Sequence, residues 1–364
     1  MAEIRVDELR KTFGDFVAVQ GSTFTIPDGN FFVMLGPSGC GKTTTLRMIA
    51  GLELPTSGSI LLDGEDVSDR RASQRDIAFV FQLFALYPHM TVYQNIAFPL
   101  RCQGVARAET RRRVDEVARL LQIERLLDLN VSGLSGGDRQ RVALGRAIVR
   151  RPKAFMMDEP LGALDSEFRA LMCSELRALH DRMGATTVYV THDQLEAMAM
   201  ADTIAVMNHG VVEQCGHPQD IYDRPATLFV ADFIGSPPMN FLPFRGGTHR
   251  GQRGVTLGGI PVEVPEIRED RAEADLVLGV RPEFIRLSDE GGLRGRVYGS
   301  EYLGTTQIVT VETDFGMVRA RVPADRRAEA GDRLALLFTP ERLSLFDKAS
   351  GRALDTALME GARG

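Results

Sequence analysis

The chain has 364 residues, 44% of them hydrophobic and 25% charged, which is the make-up of a folded globular protein of two or three domains and excludes a disordered or collagen-like chain. The net charge of −6 leaves no basic footprint for nucleic acid, and no apolar run approaches the length of a membrane-spanning helix. Four scattered cysteines without Cys-x-x-Cys spacing suggest neither a zinc site nor a disulfide framework and fit a reducing cytoplasm, and the charged start, Met1-Ala-Glu-Ile-Arg-Val-Asp-Glu8, does not read as a signal peptide.

In chain order, residues 1–235 alternate short apolar runs with helical stretches, the pattern of an α/β domain with a mostly parallel sheet. The first strong strand, Phe31–Leu35, runs into Gly36-Pro37-Ser38-Gly39-Cys40-Gly41-Lys42-Thr43-Thr44 and a helical stretch over 44–52. This is a phosphate-binding loop in its required strand–loop–helix setting. Its glycines let backbone N–H groups face phosphate oxygens at a helix N-terminus, Lys42 reaches the β- and γ-phosphates, and Thr43 is a ligand for Mg²⁺. After a strand at 77–81, residues 84–150 carry almost no strand signal and read as a helical insertion; in the stretch 110–122, Val114, Val117, Leu120 and Leu121 fall on one face.

The strand at 154–157 ends in Asp158-Glu159. One carboxylate at a sheet edge beside a phosphate loop suits Mg²⁺, and the next can polarise an attacking water. A helix at 166–182 leads to a strand at 186–190, directly followed by Thr191-His192-Asp193, where His192 either reaches a γ-phosphate or serves a structural role; a helix at 194–201 follows. Near Gly235-Ser236-Pro237-Pro238 the texture changes to short alternating runs, so residues 236–364 read as a separate small β-barrel. Within it, the run from Leu278 to Asp289 is weakly echoed by the run from Leu336 to Asp347.

Leu134-Ser135-Gly136-Gly137-Asp138-Arg139-Gln140-Arg141, about 20 residues before the Asp-Glu pair, resembles the signature motif of ABC (ATP-binding cassette) ATPases. Gln82 resembles the family's Q-loop glutamine, the run from Leu161 to Asp165 its D-loop, and Phe13 its adenine-stacking aromatic, with an N-terminal core position as the alternative for Phe13. The stretches from Ala85 to Val92, Thr191 to Met198 and Phe233 to Leu242 resemble the importer ATPases for maltose, trehalose and glycerol-3-phosphate, and the C-terminal β domain resembles their OB-like regulatory domain.

The resemblance implies a P-loop ABC nucleotide-binding domain over 1–235 with a helical subdomain at about 84–150, and an OB-like domain over 236–364. It further implies an ATP-hydrolysing, energy-coupling subunit of an importer for a sugar or polyol-type solute, peripheral to the cytoplasmic face of the inner membrane. Importers for polyamine or iron, a non-transport ABC ATPase and a regulatory module are the alternatives. The implied cofactors are ATP and Mg²⁺, and the implied partners are transmembrane permease subunits, a second ATPase subunit in a homodimer or heterodimer, and indirectly a solute-binding protein. Glu159, His192 and Gln82 are the implied catalytic residues, and Thr43, Gln82 and Asp158 hold Mg²⁺. The phosphate loop, Phe13, Ser135, Gly136, Gly137, Asp138 and Asp165 surround nucleotide across the dimer. The chain departs from the family at Asp138, where Gln or Glu is usual, and at Gly162, Leu83-Phe84 and Phe284. Asp138 is either silent or marks a specialised subunit. Cys40 is either a small filler in its loop or an oxidisable thiol.

Overall fold

The computed structural model describes residues 2–81, 85–162 and 166–360. The chain divides into two compact units, Met1–Pro218 and Gln219–Gly364.

In chain order the first unit holds β1 (Ile4–Phe13), β2 (Phe16–Ile26), β3 (Phe31–Leu35), α1 (Lys42–Ile49), β4 (Ser57–Leu62), β5 (Glu65–Asp66), β6 (Ile77–Val80), α2 (Val92–Cys102), α3 (Arg107–Leu120), α4 (Gly136–Ile148), β7 (Ala154–Asp158), α5 (Ser166–Met183), β8 (Thr186–Thr191), α6 (Gln194–Met200), β9 (Thr203–Asn208) and β10 (Val211–Gly216). A six-stranded sheet runs in the order β10-β9-β3-β8-β7-β6. Its strands are parallel except for the β9–β10 hairpin at one edge, as the continuous apolar runs predict. Every residue of β3 and β7 is buried, because a parallel sheet is covered on both faces.

The sequence reading does not anticipate a second sheet, β2-β1-β4-β5, which is antiparallel. Its inward residues Ile4, Val6, Ile26 and Ile60 share one core with Leu46 and Ile49 of α1 and Met34, Met156 and Val190 of the parallel sheet. Phe24 stacks on Phe32 across this core with ring centroids 5.3 Å apart. Helix α1 is thus held from both sides, and its N-terminus is fixed at the end of β3.

From Ala85 to Arg150 the elements are helices and 3₁₀ turns. Thr91 and Gln94 cap α2 reciprocally: Gln94 N–H donates to Thr91 Oγ1 (3.2 Å) and Thr91 N–H to Gln94 Oε1 (3.0 Å). Helix α3 buries Val114 and Val117 and laces its outer face with ion pairs, Glu109 binding both Arg112 and Arg113.

Helix α7 (Pro218–Asp223) begins on the last residue of the first unit, and the second unit continues through α8 (Leu228–Phe233), β11 (Asn240–Thr248), β12 (Gly254–Leu257), β13 (Ile260–Glu263), β14 (Arg271–Val280), β15 (Ile285–Ser288), β16 (Leu293–Tyr302), β17 (Thr306–Thr313), β18 (Gly316–Pro323), β19 (Arg333–Phe338) and β20 (Ser344–Asp347). Three antiparallel sheets, β11-β14-β20, β12-β13 and β15-β19-β16-β17-β18, close on one core that includes Leu242, Leu278, Val309 and Leu336. The internal echo has a structural basis. Each copy is a strand, a Pro-Glu 3₁₀ turn and a second strand, and the copies pair reciprocally, Leu278 with Leu345 and Leu287 with Leu336.

The unit division falls after Pro218, not after residue 235. The buried Arg281 is the reason. Its guanidinium lies 3.8 Å from the centroid of the Tyr222 ring and donates to the carbonyls of Tyr222 (2.9 and 2.6 Å) and Ile234 (2.6 Å). Leu228 N–H donates to Gly351 O, and Ala353 N–H to Ala226 O. Residues 219–235 are therefore built into the β unit.

Candidate functional site

The loop after β3 can follow its path only with glycine at its tightest points. A Cβ on Gly36 would lie 2.2 Å from Met207 O, and one on Gly41 would lie 2.5 Å from Ala18 O in a residue at φ +103°. Gly210 N–H donates to Cys40 O (3.0 Å), tying the loop to the β9–β10 turn. Cys40 is buried, and burial pushes its thiol pKa up, which fits a filler rather than a reactive thiolate. Ser38 and Gly39 are exposed at the loop tip; Pro37 and Thr44 are half-buried.

Lys42 opens α1 with its side chain buried, and the ammonium donates to Gly36 O (2.7 Å) and Pro37 O (2.8 Å). Its charge is thus held inside the curl of the loop. Thr43 Oγ1 donates to Asp158 Oδ1 (2.8 Å) at the end of β7. Burial raises the Asp158 pKa, and the Thr43 hydrogen bond opposes that rise. Two hard oxygens beside a phosphate-binding loop are the donor set that Mg²⁺ accepts while keeping waters and phosphate oxygens as its remaining ligands, so the residues present fit that ion.

Glu159 sits in the left-handed region at φ +43°, a strained conformation for a non-glycine residue. Its N–H donates to Val190 O (3.0 Å), fixing the turn to β8. Its carboxylate reaches His192 Nδ1 at 3.2 Å. Lys42, Thr43, Asp158, Glu159 and His192 therefore gather at the C-terminal ends of adjacent parallel strands, where open α/β sheets place their ligands.

The other sequence-predicted residues lie elsewhere. Ser135 caps α4 and Asp138 lies in its first turn; among the described residues neither hydrogen-bonds nor ion-pairs with the phosphate loop. Gly136 is half-buried and Gly137 buried in the same turn. Phe13, at the end of β1, is 49% exposed, which removes the core alternative; Lys11 Nζ stands 4.8 Å from its ring centroid. Gln82 and Asp165 lie outside the described residues.

Sequence reasoning missed what holds the residues on either side of His192. The Asp193 carboxylate accepts Leu195 N–H (2.8 Å) and Glu196 N–H (3.3 Å), capping α6, and takes Arg169 Nη1 from α5 at 2.9 Å. The buried Glu196 accepts Tyr189 Oη (2.8 Å) and Thr191 Oγ1 (2.7 Å). The Asp-x-x-Glu spacing of a helix start was a visible signal; Arg169 and Tyr189 had none.

Comparison with known proteins identifies the family. An ABC transporter family model matches residues 19–162, a MalK OB-fold domain model 235–285 and a TOBE domain model 278–346. The chain is 44% identical to the trehalose/maltose import ATP-binding protein MalK of Thermococcus litoralis, over 97% of this chain and all of that one. It is 45% identical to the sn-glycerol-3-phosphate import ATP-binding protein UgpC of Rhodopseudomonas palustris, over 98% and 100% respectively. Among solved structures it is similar to CbiO1 of Clostridium perfringens, part of an ABC transporter complex, with a TM-score of 0.57 at 30% identity over 60% of this chain and 89% of that one. It is also similar to a dimeric ATP-binding cassette in a post-hydrolysis state with ADP and Pi, with a TM-score of 0.53 at 31% identity over 59% and 98%.

Proposed function

Since the chain belongs to the ATP-binding subunits of ABC transporters, we propose that it is the ATPase that powers import of a sugar or polyol-type solute through a separate permease. The observation that carries this is the cluster of Lys42, Thr43, Asp158, Glu159 and His192 at one sheet edge, in a chain whose relatives, matched over their whole length, are named as import ATP-binding proteins for trehalose and maltose or for glycerol-3-phosphate.

The residues divide the work. The Lys42 ammonium and the loop N–H groups neutralise and orient the terminal phosphates of ATP. Thr43 and Asp158 would hold Mg²⁺, which supplies charge neutralisation on the β- and γ-phosphate oxygens. Glu159 accepts the proton of the attacking water, and His192, in contact with that carboxylate, holds it in place and faces the γ-phosphate. Phe13 offers an exposed ring for stacking on adenine.

Ser135, Gly136 and Gly137 complete the ATP site of a second subunit, so ATP closes the dimer and hydrolysis opens it. The similarity to a cassette solved as a dimer after hydrolysis supports this reading. Gln82 and Asp165 join the water and the dimer contact, as the resemblance implies.

No described helix is long and apolar enough to cross a membrane, so the membrane-spanning part is assigned to the permease, with this subunit at its cytoplasmic face. The stretch from Ala85 to Val92 suits a docking site held by its neighbours: Arg146 donates to Ala85 O (2.8 Å), and Asn95 bonds both the N–H and the carbonyl of Tyr87.

The test is purification of the tagged chain from membranes of its own host in mild detergent with MgATP. Co-elution of an integral-membrane permease, with ATPase activity raised by the solute and its binding protein, is expected. Recovery free of any membrane protein overturns the coupling role.

A further inference from the structure

The first turn of α4 holds Ser135 differently from the way α2 holds its own cap. At α2, Gln94 reaches back to Thr91 N–H at 3.0 Å, while Thr91 Oγ1 accepts Gln94 N–H at 3.2 Å. The Thr91 hydroxyl proton takes no part in that box. At α4 the equivalent residue is Asp138, one methylene shorter. Asp138 N–H donates to Ser135 Oγ (3.2 Å), as in the first box. The Asp138 carboxylate, however, accepts the Ser135 hydroxyl proton itself, Oγ to Oδ2 at 2.7 Å. A serine hydroxyl has one proton to give, and here it is spent within the chain on a charged acceptor, the stronger kind of hydrogen bond. Arg141 stands 3.6 Å from Asp138 and is shared with Glu175 at 3.3 Å.

We propose that Asp138 is a brake on ATP-driven dimer closure: its carboxylate holds the Ser135 proton that the γ-phosphate on the other subunit must take. The inference rests on the reading that Ser135 completes the partner's ATP site. Asp138 is a positioning residue; it acts through Ser135 and raises the ATP concentration needed to close the dimer, which holds idle hydrolysis down.

The experiment measures the dimer dissociation constant by analytical ultracentrifugation with Mg²⁺ and a non-hydrolysable ATP analogue. Wild type, Asp138→Gln and Asp138→Ala are compared, each also in a Ser135→Ala background, with nucleotide binding to the monomer and melting temperature measured alongside. Both single variants are expected to tighten the nucleotide-driven dimer roughly three- to tenfold, the range set by one charge-assisted hydrogen bond at a half-exposed site. Monomer nucleotide binding should stay unchanged, and in the Ser135→Ala background the gain should vanish. An unchanged dimer constant in both variants overturns the proposal. An equal gain without the Ser135 hydroxyl also overturns it, by assigning the effect to charge alone. If wild type and every variant bind nucleotide as monomers yet never dimerise, the shared-site reading itself fails, and the brake with it. Two replacements are used so that a folding defect in one leaves the other to decide.

Discussion

Glu159 is where chemistry and strain meet. A left-handed backbone at a bulky residue costs on the order of 1–3 kcal/mol, and the chain holds it there by the Val190 hydrogen bond on one side and the buried Pro160 on the other. The consequence is a carboxylate turned toward His192 at 3.2 Å instead of continuing the line of β7. A glutamine here keeps the side chain's length and its contact with His192 but cannot take a proton from water. Glu159→Gln is therefore expected to lower the ATP hydrolysis rate by roughly 10²- to 10⁴-fold, the usual weight of a general base, while leaving ATP affinity near that of wild type. Single-turnover hydrolysis and calorimetric titration measure the two quantities separately. Hydrolysis within threefold of wild type would remove Glu159 from the role.

At the scale of elements, the turn carrying His192 is set by side chains from its neighbours. Arg169 on α5 lies 2.9 Å from Asp193 and 3.6 Å from Glu196, so it is the cation that compensates both. Burial raises the Glu196 pKa above its ordinary 4.5. The folded chain thus keeps this proton to higher pH than the unfolded chain, and the group's contribution to stability falls as pH rises from 4.5 through the folded value. Arg169→Met keeps the aliphatic stem and removes the charge. It is expected to raise that pKa further, steepen the fall of melting temperature with rising pH, and lower kcat severalfold with KM unchanged, because ATP contacts remain. A variant with wild-type kcat and an unchanged pH profile of melting would show that the clamp does not position His192. These long-range contacts were illegible in the sequence because their members lie on separate elements, whereas the phosphate loop and the Asp158-Glu159 strand end are local and could be read directly. The same contrast explains the fold. Strand β3 announced itself as five consecutive buried residues. Strand β1 did not, because a bulge at Glu8, with φ +47° and a register shift between Val6 and Leu9, breaks its inward alternation of Ile4, Val6 and Leu9.

For the whole molecule, the Gly-Ser-Pro-Pro run at 235–238 marks a change of composition, yet the hydrogen bonds place the division earlier. Arg281 decides it: its buried guanidinium is balanced by the carbonyls of Tyr222 and Ile234 and by the ring of Tyr222, all on the N-terminal side of that run. A fragment starting at residue 236 would retain Arg281 and lose these acceptors, and leaving a buried charge uncompensated costs about 3–5 kcal/mol. It would also lose the backbone bonds from Leu228 to Gly351 and from Ala353 to Ala226. A fragment of residues 219–364 keeps every one of these. At a few degrees of melting temperature per kcal/mol for a domain of this size, the longer fragment is expected to unfold cooperatively at least about 10 °C above the shorter one. Arg281→Met should narrow that gap, because it removes the buried charge from both. Circular dichroism melts of the four proteins measure it. Equal melting of the two unmodified fragments would return the division to residue 235 and leave Arg281 without the organising role argued for it.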